Sequence, residues 1–267
     1  KIFLGSTHRD EARFIGKSLR YLLSKGFRRV VVPCCGQFTL VRYAIDAGFS
    51  PENIIASDIS LFTSLLGYYY TGRPVDEIPF TIKDPELLKE YRQCVSDAER
   101  VALLLFTIKL RQLRTELYFE KRHADALLAS SHESRRKMAA SLDQYRSYYA
   151  GITYKIEDVR RVIQYNDPET VLIINPPAYE KGYSKMFMLE PVIQYDLPIS
   201  EWSWRKEYMG LYLALKGLPC AVYDKPQEIY SLAFLYRAKD ASPFPPSEIV
   251  FAKQRTPTRI DYWICTK

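Results

Sequence analysis

The sequence lacks the residue patterns that are typical of metal centres, disulfide frameworks and membrane spans. It has three histidines and five cysteines in 267 residues, and no two cysteines have C-x-x-C spacing. An odd number of cysteines, with Cys34 and Cys35 adjacent, favours packing thiols in a reducing, cytoplasmic setting and no metal site. The longest apolar run, Val101 to Ile108, is far too short to cross a bilayer, and no signal-peptide pattern opens the chain. We therefore expect no membrane partner.

Glycine is also scarce, with eleven in the chain, and no G-x-G-x-x-G follows the first predicted strand. That absence argues against a nicotinamide-binding dehydrogenase. No glycine occurs from Arg73 to Ala150, where strong helix formers predict two or three long helices broken near 129–132. Because this stretch is too long for an ordinary strand connection, we interpret residues 81–150 as an inserted helical lobe.

Positive charge is in excess: the net charge is +7 and the pI about 9.0. A basic chain favours polyanionic partners. The second half of the insertion is basic and rich in tyrosine, and Arg135 and Arg136 are its candidates for contacts with nucleic acid. The alternatives for this segment are a solvated charged face, with its tyrosines in the core, or an arm for docking and oligomerisation.

The rest of the chain predicts strands alternating with helices. Helical patterns cover 11–25 and 39–47, and the predicted strands are 29–33, 53–58, 151–158, 170–175, 218–223, 228–236, 248–253 and 260–266. Several strands are continuous apolar runs, which is typical of strands covered on both faces in a parallel sheet. We expect an α/β fold with helices on both faces, formed by residues 1–80 and 151–267.

Polar groups follow the first three strands of this sheet, where open α/β sheets bind ligands. Gly36 follows the first strand and permits a tight turn close to a ligand. Asp58 ends the second strand, where a carboxylate can accept hydrogen bonds from ribose hydroxyls or cap the next helix. Glu157 and Asp158 follow the third, where Asp158 is a candidate acceptor for an adenine amine or a surface acid near Arg160.

The fourth strand ends in Asn175-Pro176-Pro177. The prolines remove two amide donors, so the Asn175 side-chain oxygen and the Pro176 carbonyl remain as acceptors for one NH₂ group. Two such acceptors help an aromatic amine to pyramidalise, and they stabilise positive charge as a methyl group arrives. The alternative is a rigid exit from the strand without a chemical role.

These motifs resemble those of the class I S-adenosylmethionine-dependent amino-methyltransferases that modify adenine in DNA. Asn175, Pro176 and Pro177 match the family pattern [DNS]-P-P-[YFW]. The stretch containing Pro33, Cys35, Gly36 and Thr39 is similar to its P-F-C-G-x-G-T motif. The resemblance implies a Rossmann-like class I sheet, S-adenosylmethionine as cofactor and DNA as partner. It also implies a prokaryotic or phage enzyme, for self-marking in restriction-modification or for evading restriction.

Further roles come from the same resemblance. Asp58 corresponds to the ribose-binding acid and Asp158 to the residue that contacts the cofactor's adenine. The N-terminal stretch 2–6, with Phe3 and Gly5, is similar to the segment that completes the methionine pocket. Here Ala178 separates the second proline from Tyr179, so the aromatic that stacks on the base stays open. The candidates for this role are Tyr179, Tyr183 and Phe187. We expect Trp202 and Trp204 to line the pocket for a flipped base. The alternative is that both tryptophans pack in the hydrophobic core.

The chain departs from the family pattern in its first motif and in the position of the insertion. Gln37 and Phe38 stand where smaller residues are expected, and the insertion falls between the second and third strands. Our leading expectation is methylation of adenine in DNA after base flipping. The alternatives are an acceptor amine in RNA or a glutamine amide in a protein, or a methyltransferase fold kept as a binding or assembly module.

Overall fold

The computed structural model describes residues 9–113, 116–162, 169–177, 189, 191–197, 202–216, 231–238, 244–257 and 259–266. Its helices are α1 (Arg9–Ser24), α2 (Thr39–Ala47), α3 (Leu61–Tyr70), α4 (Pro85–Gln93), α5 (Asp97–Arg111), α6 (Tyr118–Ala129), α7 (Ser131–Tyr148), α8 (Val159–Val162) and α9 (Trp204–Lys216). Its strands are β1 (Arg29–Pro33), β2 (Ile54–Asp58), β3 (Phe80–Ile82), β4 (Thr153–Ile156), β5 (Thr170–Ile174), β6 (Ile193–Tyr195), β7 (Ser231–Ala238), β8 (Ile249–Thr256) and β9 (Arg259–Thr266).

Within these ranges, seven strands form one sheet in the order β4-β2-β1-β5-β7-β9-β8. The five strands β4, β2, β1, β5 and β7 are parallel to one another, and β9 is antiparallel to both β7 and β8. The mixed α/β architecture is compatible with a Rossmann-like fold, since the first five strands follow the 3-2-1-4-5 order of doubly wound sheets. Seven of the eight predicted strands overlap observed ones, and the one predicted at 218–223 lies outside the described residues.

Both faces of the central strands are buried, as the continuous apolar runs predict. Val30 and Val32 of β1 face one apolar cluster, which includes residues of α1, α2, α3, α5 and α7. Val31, between them, faces a second cluster that includes Trp202 and Leu211 of the opposite layer. Because successive side chains of a strand point to opposite faces, β1 needs an apolar residue at each of its four buried positions, from Val30 to Pro33.

Four helices, α4 to α7, occupy most of the segment predicted as an inserted lobe. The predicted break near 129–132 is present, because α6 ends at Ala129 and α7 begins at Ser131. The segment does lie between the second and third parallel strands. Helices α5 and α7 pack on each other and on α3, and the buried residues of α5 belong to the core cluster of β1. Helices α5 and α7 therefore belong to the helical layer that packs on one face of the large sheet.

A small second sheet, which the sequence did not predict, pairs residues 80–82 with residues 193–195. Strands β3 and β6 pair antiparallel, with Phe80 opposite Tyr195 and Ile82 opposite Ile193. Each has three residues, which is too short for a clear apolar period. The pairing brings the segment after β5 to the beginning of the helical segment.

Helix α1 is tied to the β8–β9 hairpin by buried charges. Glu11 is 3% exposed and accepts a 2.7 Å hydrogen bond from Trp263 Nε1. Its other carboxylate oxygen pairs with Arg255 at 2.6 Å, and Arg255 also contacts Asp261 at 3.0 Å. A buried charge is tolerated only when it is paired in this way, so the pairing fixes where α1 lies on the sheet.

Gly67 in α3 provides the space for the ring of Tyr154 in β4. A Cβ at position 67 would lie 2.3 Å from Tyr154 Cγ. The Tyr154 ring cannot easily retreat, since its hydroxyl donates to the Asp58 carbonyl at 3.1 Å and lies 3.2 Å from Ser64 Oγ. A glycine in mid-helix here reflects close packing of helix on strand.

We expect Gly67→Ala to lower the free energy of unfolding by about 1–3 kcal/mol, the usual cost of overpacking. The matched control is Gly16→Ala in α1, where the nearest atom to the new Cβ is the Arg20 side chain at 3.7 Å. That change should be neutral or stabilising by up to about 1 kcal/mol through helix propensity. Urea denaturation measures both, and a Gly67→Ala protein as stable as the wild type would contradict the packing argument.

Candidate functional site

The carboxyl ends of four parallel strands lie side by side at one edge of the sheet. The register pairs Pro33 with Ser57 and Asp58 with Ile156. On the other side of β1, Val31 is paired with Leu172 of β5, and Asn175 follows β5 directly, next to the loop after β1. Strand order reverses at β1, which is the switch point where such sheets bind ligands. The strand ends that the sequence singled out therefore meet at one place.

The loop after β1 has an unusual backbone. Cys34, Gly36 and Phe38 have φ of 55°, 53° and 62°, in the left-handed region that favours glycine. The Phe38 ring is fully buried, with its centroid 5.3 Å from that of Tyr70 and 5.5 Å from that of Tyr149. The large residue that departs from the expected motif is therefore part of the core.

Asp58 joins this loop to the beginning of α3. Its Oδ2 accepts from the Gly36 N–H at 3.1 Å and its Oδ1 from the Ser60 N–H at 2.9 Å. The helix itself is capped by Ser60, whose Oγ accepts from the Thr63 N–H, so Asp58 is not the N-cap. Burial raises the pKa of Asp58 above its ordinary value, although the amide donors act in the opposite direction.

A cluster of hydroxyls that sequence reasoning missed lies beside Asp58. Ser64 Oγ is 3.2 Å from the Tyr154 hydroxyl and 3.3 Å from the Tyr195 hydroxyl. Burial raises the pKa of Tyr154, so its hydroxyl stays protonated and donates to the Asp58 carbonyl. The cluster holds β2, α3, β4 and β6 together under the strand ends. Its members are spread over 131 positions of sequence, which hides them from any local motif.

Asp158, after β4, is held by Arg160. Its Oδ1 accepts from the backbone N–H and the Nε of Arg160, each at 2.9 Å. The guanidinium also lies 5.9 Å from the ring centroid of Trp202 and 3.8 Å from a Glu207 oxygen. Such an ion pair is typical of an acid at the protein surface. Because Arg160 also contacts Trp202, it links Asp158 to the Asn175–Pro177 segment.

Asn175, Pro176 and Pro177 follow β5 directly, with Pro176 buried and the other two half-buried. The Pro177 carbonyl accepts a 2.8 Å hydrogen bond from Trp202 Nε1. Trp202 is 7% exposed and belongs to the core cluster that contains Ile174. For Trp202 the structure therefore favours the core, where it holds the proline segment, over the wall of a base pocket.

The two thiols of the loop after β1, with Cys35 buried and Cys34 half-buried, are not poised as nucleophiles. Burial, and after it the negative charge of Asp58, raises the pKa of both Cys34 and Cys35. A thiol with a raised pKa is protonated at neutral pH and unreactive. This agrees with the expectation that the two cysteines are packing residues.

Several predicted site residues lie where the structure says nothing of their side chains. Phe3, Gly5, Tyr179, Tyr183 and Phe187 lie outside the described residues, and only the backbone of Trp204 is described, at the beginning of α9. Their roles stay predictions.

Arg135 and Arg136, the predicted nucleic-acid contacts, lie near the beginning of α7. Arg135 Nη1 is ion-paired with Glu90 Oε2, while Arg136 is exposed. Tyr149, which packs on Phe38, follows fourteen positions after Arg135, which corresponds to about 20 Å along a helix. The structure therefore does not bring these arginines to the strand ends.

Among the described residues, no helix is long and apolar enough to cross a membrane. Over the same ranges, no group of three or more histidine, cysteine, aspartate or glutamate side chains could hold a metal ion.

Comparison with known proteins identifies a family whose matched range covers the residues at the strand ends. A search of curated proteins finds no significant match. A family model described as phage DNA adenine methylase-like domain 1 matches residues 3–201, well over half of the 267-residue chain. The matched range includes β1 to β6, and with them Gly36, Asp58, Asp158 and the Asn175–Pro177 segment. The chain belongs to the family of phage DNA adenine methylase-like domains.

Proposed function

We propose that this protein transfers a methyl group from S-adenosylmethionine to the exocyclic amine of adenine in DNA. The observation that carries the proposal is the juxtaposition of two strand ends in a chain of this family. The Gly36–Asp58 contact lies at the switch point, and the acceptor pair of Asn175 and Pro176 follows the neighbouring strand. Adjacent strands lie about 4.8 Å apart, so a methyl donor and an amine held by these groups would be neighbours.

The residues present suit the cofactor. Asp58 is half-buried, and its carboxylate is fixed by two amide donors at the edge of the sheet, ready to accept from ribose hydroxyls. Gly36 has no Cβ in a left-handed turn, which lets a ligand approach the backbone closely. S-adenosylmethionine supplies an electrophilic methyl group. We assign the ribose to Asp58 and the adenine edge to Asp158, with Arg160 fixing the orientation of Asp158.

In this mechanism the protein itself makes the adenine amine more nucleophilic. The Asn175 side-chain oxygen and the Pro176 carbonyl accept its two hydrogens, which directs the nitrogen lone pair toward the methyl group. As the bond forms, both oxygens stabilise the developing positive charge. The extra proton then passes to solvent water, so no titrating base is needed. Because the amine of adenine is buried in base pairs, the base must first be extruded from the duplex.

The acceptor class is tested by offering methyl-labelled S-adenosylmethionine with unmethylated genomic DNA, RNA or a glutamine peptide in separate reactions. We expect label in N-methyladenine after digestion of the DNA to nucleosides. Label only in RNA or peptide would establish one of the alternative acceptors. No label together with no cofactor binding would support the binding-module alternative.

Replacing Asn175 with alanine removes one of the two acceptors. We expect the rate of methyl transfer to fall about 10²–10³-fold, as for the loss of one preorganised polar group, while cofactor affinity is unchanged. Single-turnover transfer and calorimetric titration measure the two quantities. Asn175→Asp, which the family pattern admits, is the matched control and should keep part of the activity. Full activity in Asn175→Ala would refute the proposed mechanism.

Cofactor binding should depend on the protonation of Asp58. Burial raises its pKa, so the carboxylate takes up a proton at a higher pH than an ordinary aspartate and loses acceptor capacity there. Affinity for S-adenosylmethionine should be full above that raised pKa and should fall as the pH decreases through it. Calorimetric titrations carried from neutral pH down to the acid limit of the folded protein follow this loss. Asp58→Asn should bind weakly at every pH, and a wild-type affinity independent of pH would exclude the role of Asp58.

Trp202→Phe tests whether the indole positions the proline segment. The change keeps a buried ring but removes the donor to the Pro177 carbonyl, so we expect kcat to fall roughly tenfold or more with cofactor affinity unchanged. The matched control is Tyr212→Phe, which removes a 2.6 Å hydrogen bond to Glu248 in the same core cluster. Both changes should cost about 1 kcal/mol of stability. Equal kcat values for the two variants would show that Trp202 is only structural.

A further inference from the structure

A groove runs along the helical layer beside the loop after β1. It has a volume of about 400 Å³ and is lined by residues of α2, α3, α5 and α7, with Gln37 and Thr39 at the site loop. That volume is within the range of sites that hold a small molecule or one nucleotide. Gln37, Ser141 and Tyr145 are exposed, so the groove reaches the surface. Nothing assigned so far to the proposed reaction uses it.

The charged groups lining the groove are both cations. Arg42 comes from α2 and Lys109 from α5, and no carboxylate is among the lining residues. Within the described ranges, neither cation has a carboxylate oxygen within 4.0 Å, in contrast to Arg135 with its Glu90 partner. Asp46 is the acid nearest to Arg42 in the same helix, and its Oδ1 accepts from the Tyr148 hydroxyl at 2.5 Å. Two cations on separate helices, not neutralised by an ion pair, suit an anionic ligand.

Tyrosine rings form one side of the same groove. Tyr149 lies between Tyr70 and Tyr145, with ring centroids 4.8 Å and 6.2 Å away. Tyr145 is 38% exposed and lines the groove, so part of its ring is open to a ligand. Burial raises the pKa of Tyr70 and Tyr149, so both remain neutral beside the cations. An aromatic surface next to cations is the combination that nucleic-acid proteins use for a base and its phosphate.

We propose that this groove holds a nucleotide of the DNA strand that flanks the target adenine. Arg42 and Lys109 bind its phosphodiester, and Tyr145 contacts its base or sugar. The location supports this occupant, because Gln37 and Thr39 of the groove lie in and next to the loop after β1, and β1 is the neighbour of β5, which Asn175 follows. The inference rests on the proposed function, since it takes DNA as the substrate.

The test measures duplex binding by fluorescence anisotropy at several salt concentrations. We expect Arg42→Ala and Lys109→Ala each to weaken binding roughly tenfold, the size of one charge-assisted contact. Each should also reduce the slope of log K against log salt by about 1. Arg42→Lys and Lys109→Arg should restore most of both quantities. Tyr145→Ala should weaken binding at least about fivefold, whereas Tyr145→Phe keeps the ring and should not.

Lys25→Ala is the matched control, because Lys25 is an exposed cation shortly before β1, at the sheet edge opposite the strand ends. If it weakens binding as much as the groove variants do, the effect is general charge and the proposal is wrong. Circular dichroism and cofactor titration show whether each variant is folded. A groove variant that does not fold is replaced by Arg42→Gln or Lys109→Gln, which keeps most of the side-chain volume but removes the charge, and whose salt slope must be lower than that of the wild type by about 1.

The outcomes separate this inference from the proposed function. If the wild type binds and methylates DNA but the groove variants bind it equally well, the groove proposal alone fails. If the wild type binds no DNA, both fail. Titration with deoxyadenosine monophosphate provides a further arm: weaker mononucleotide binding in the groove variants, with unchanged duplex binding, would identify a free nucleotide as the occupant and overturn the proposal.

Discussion

The carboxylate of Asp58 is the contact on which the geometry of the site depends. Its two oxygens hold the loop after β1 and the beginning of α3 through the amides of Gly36 and Ser60. Burial makes the charged form costly, and only fixed donors make the position tolerable. The same oxygens are those that a ribose would meet. The protein thus places a partly desolvated acceptor at the edge of the sheet, where burial strengthens each hydrogen bond it accepts.

The strained loop beside Asp58 is maintained by the aromatic core beneath it. A left-handed backbone at a residue with a side chain costs on the order of 1 kcal/mol or more, and both Cys34 and Phe38 adopt it. Burial of the Phe38 ring among Tyr70, Tyr149 and Tyr154 offsets that cost. Since Tyr149 directly follows α7, the helical segment between β2 and β4 supports the shape of the loop. Its helices are coupled to the site through packing.

Much of the fold and part of the site follow from the sequence. Apolar runs give the strands, and in a parallel sheet the strand ends must meet, which is why Gly36, Asp58 and Asn175 could be brought together without coordinates. The phage DNA adenine methylase-like family was likewise predicted from these motifs, and the match confirms it. Helix α1, α2 and the break before α7 were also predicted correctly.

What could not be predicted depends on packing between distant residues. The β3–β6 pair is too short to show a period, and the Ser64–Tyr154–Tyr195 cluster joins residues from three parts of the chain. Charge alone suggested Arg135 as a nucleic-acid contact, but a sequence does not show that Glu90 neutralises it. The sequence likewise left open whether Trp202 lines a base pocket or packs in the core, and its hydrogen bond to Pro177 joins residues 25 positions apart.

That hydrogen bond connects the two halves of the proposed chemistry. Prolines fix φ but leave ψ free, so the carbonyl of Pro176 needs a further restraint if it is to face an amine. Trp202 provides one by holding the next carbonyl, while its ring lies beside Arg160, the partner of Asp158. A chain of contacts therefore runs from the predicted adenine end of the cofactor site to the acceptor pair. Rigid acceptors need no reorganisation as charge develops on an amine, and this is how the proposed site would lower the barrier without a titrating base.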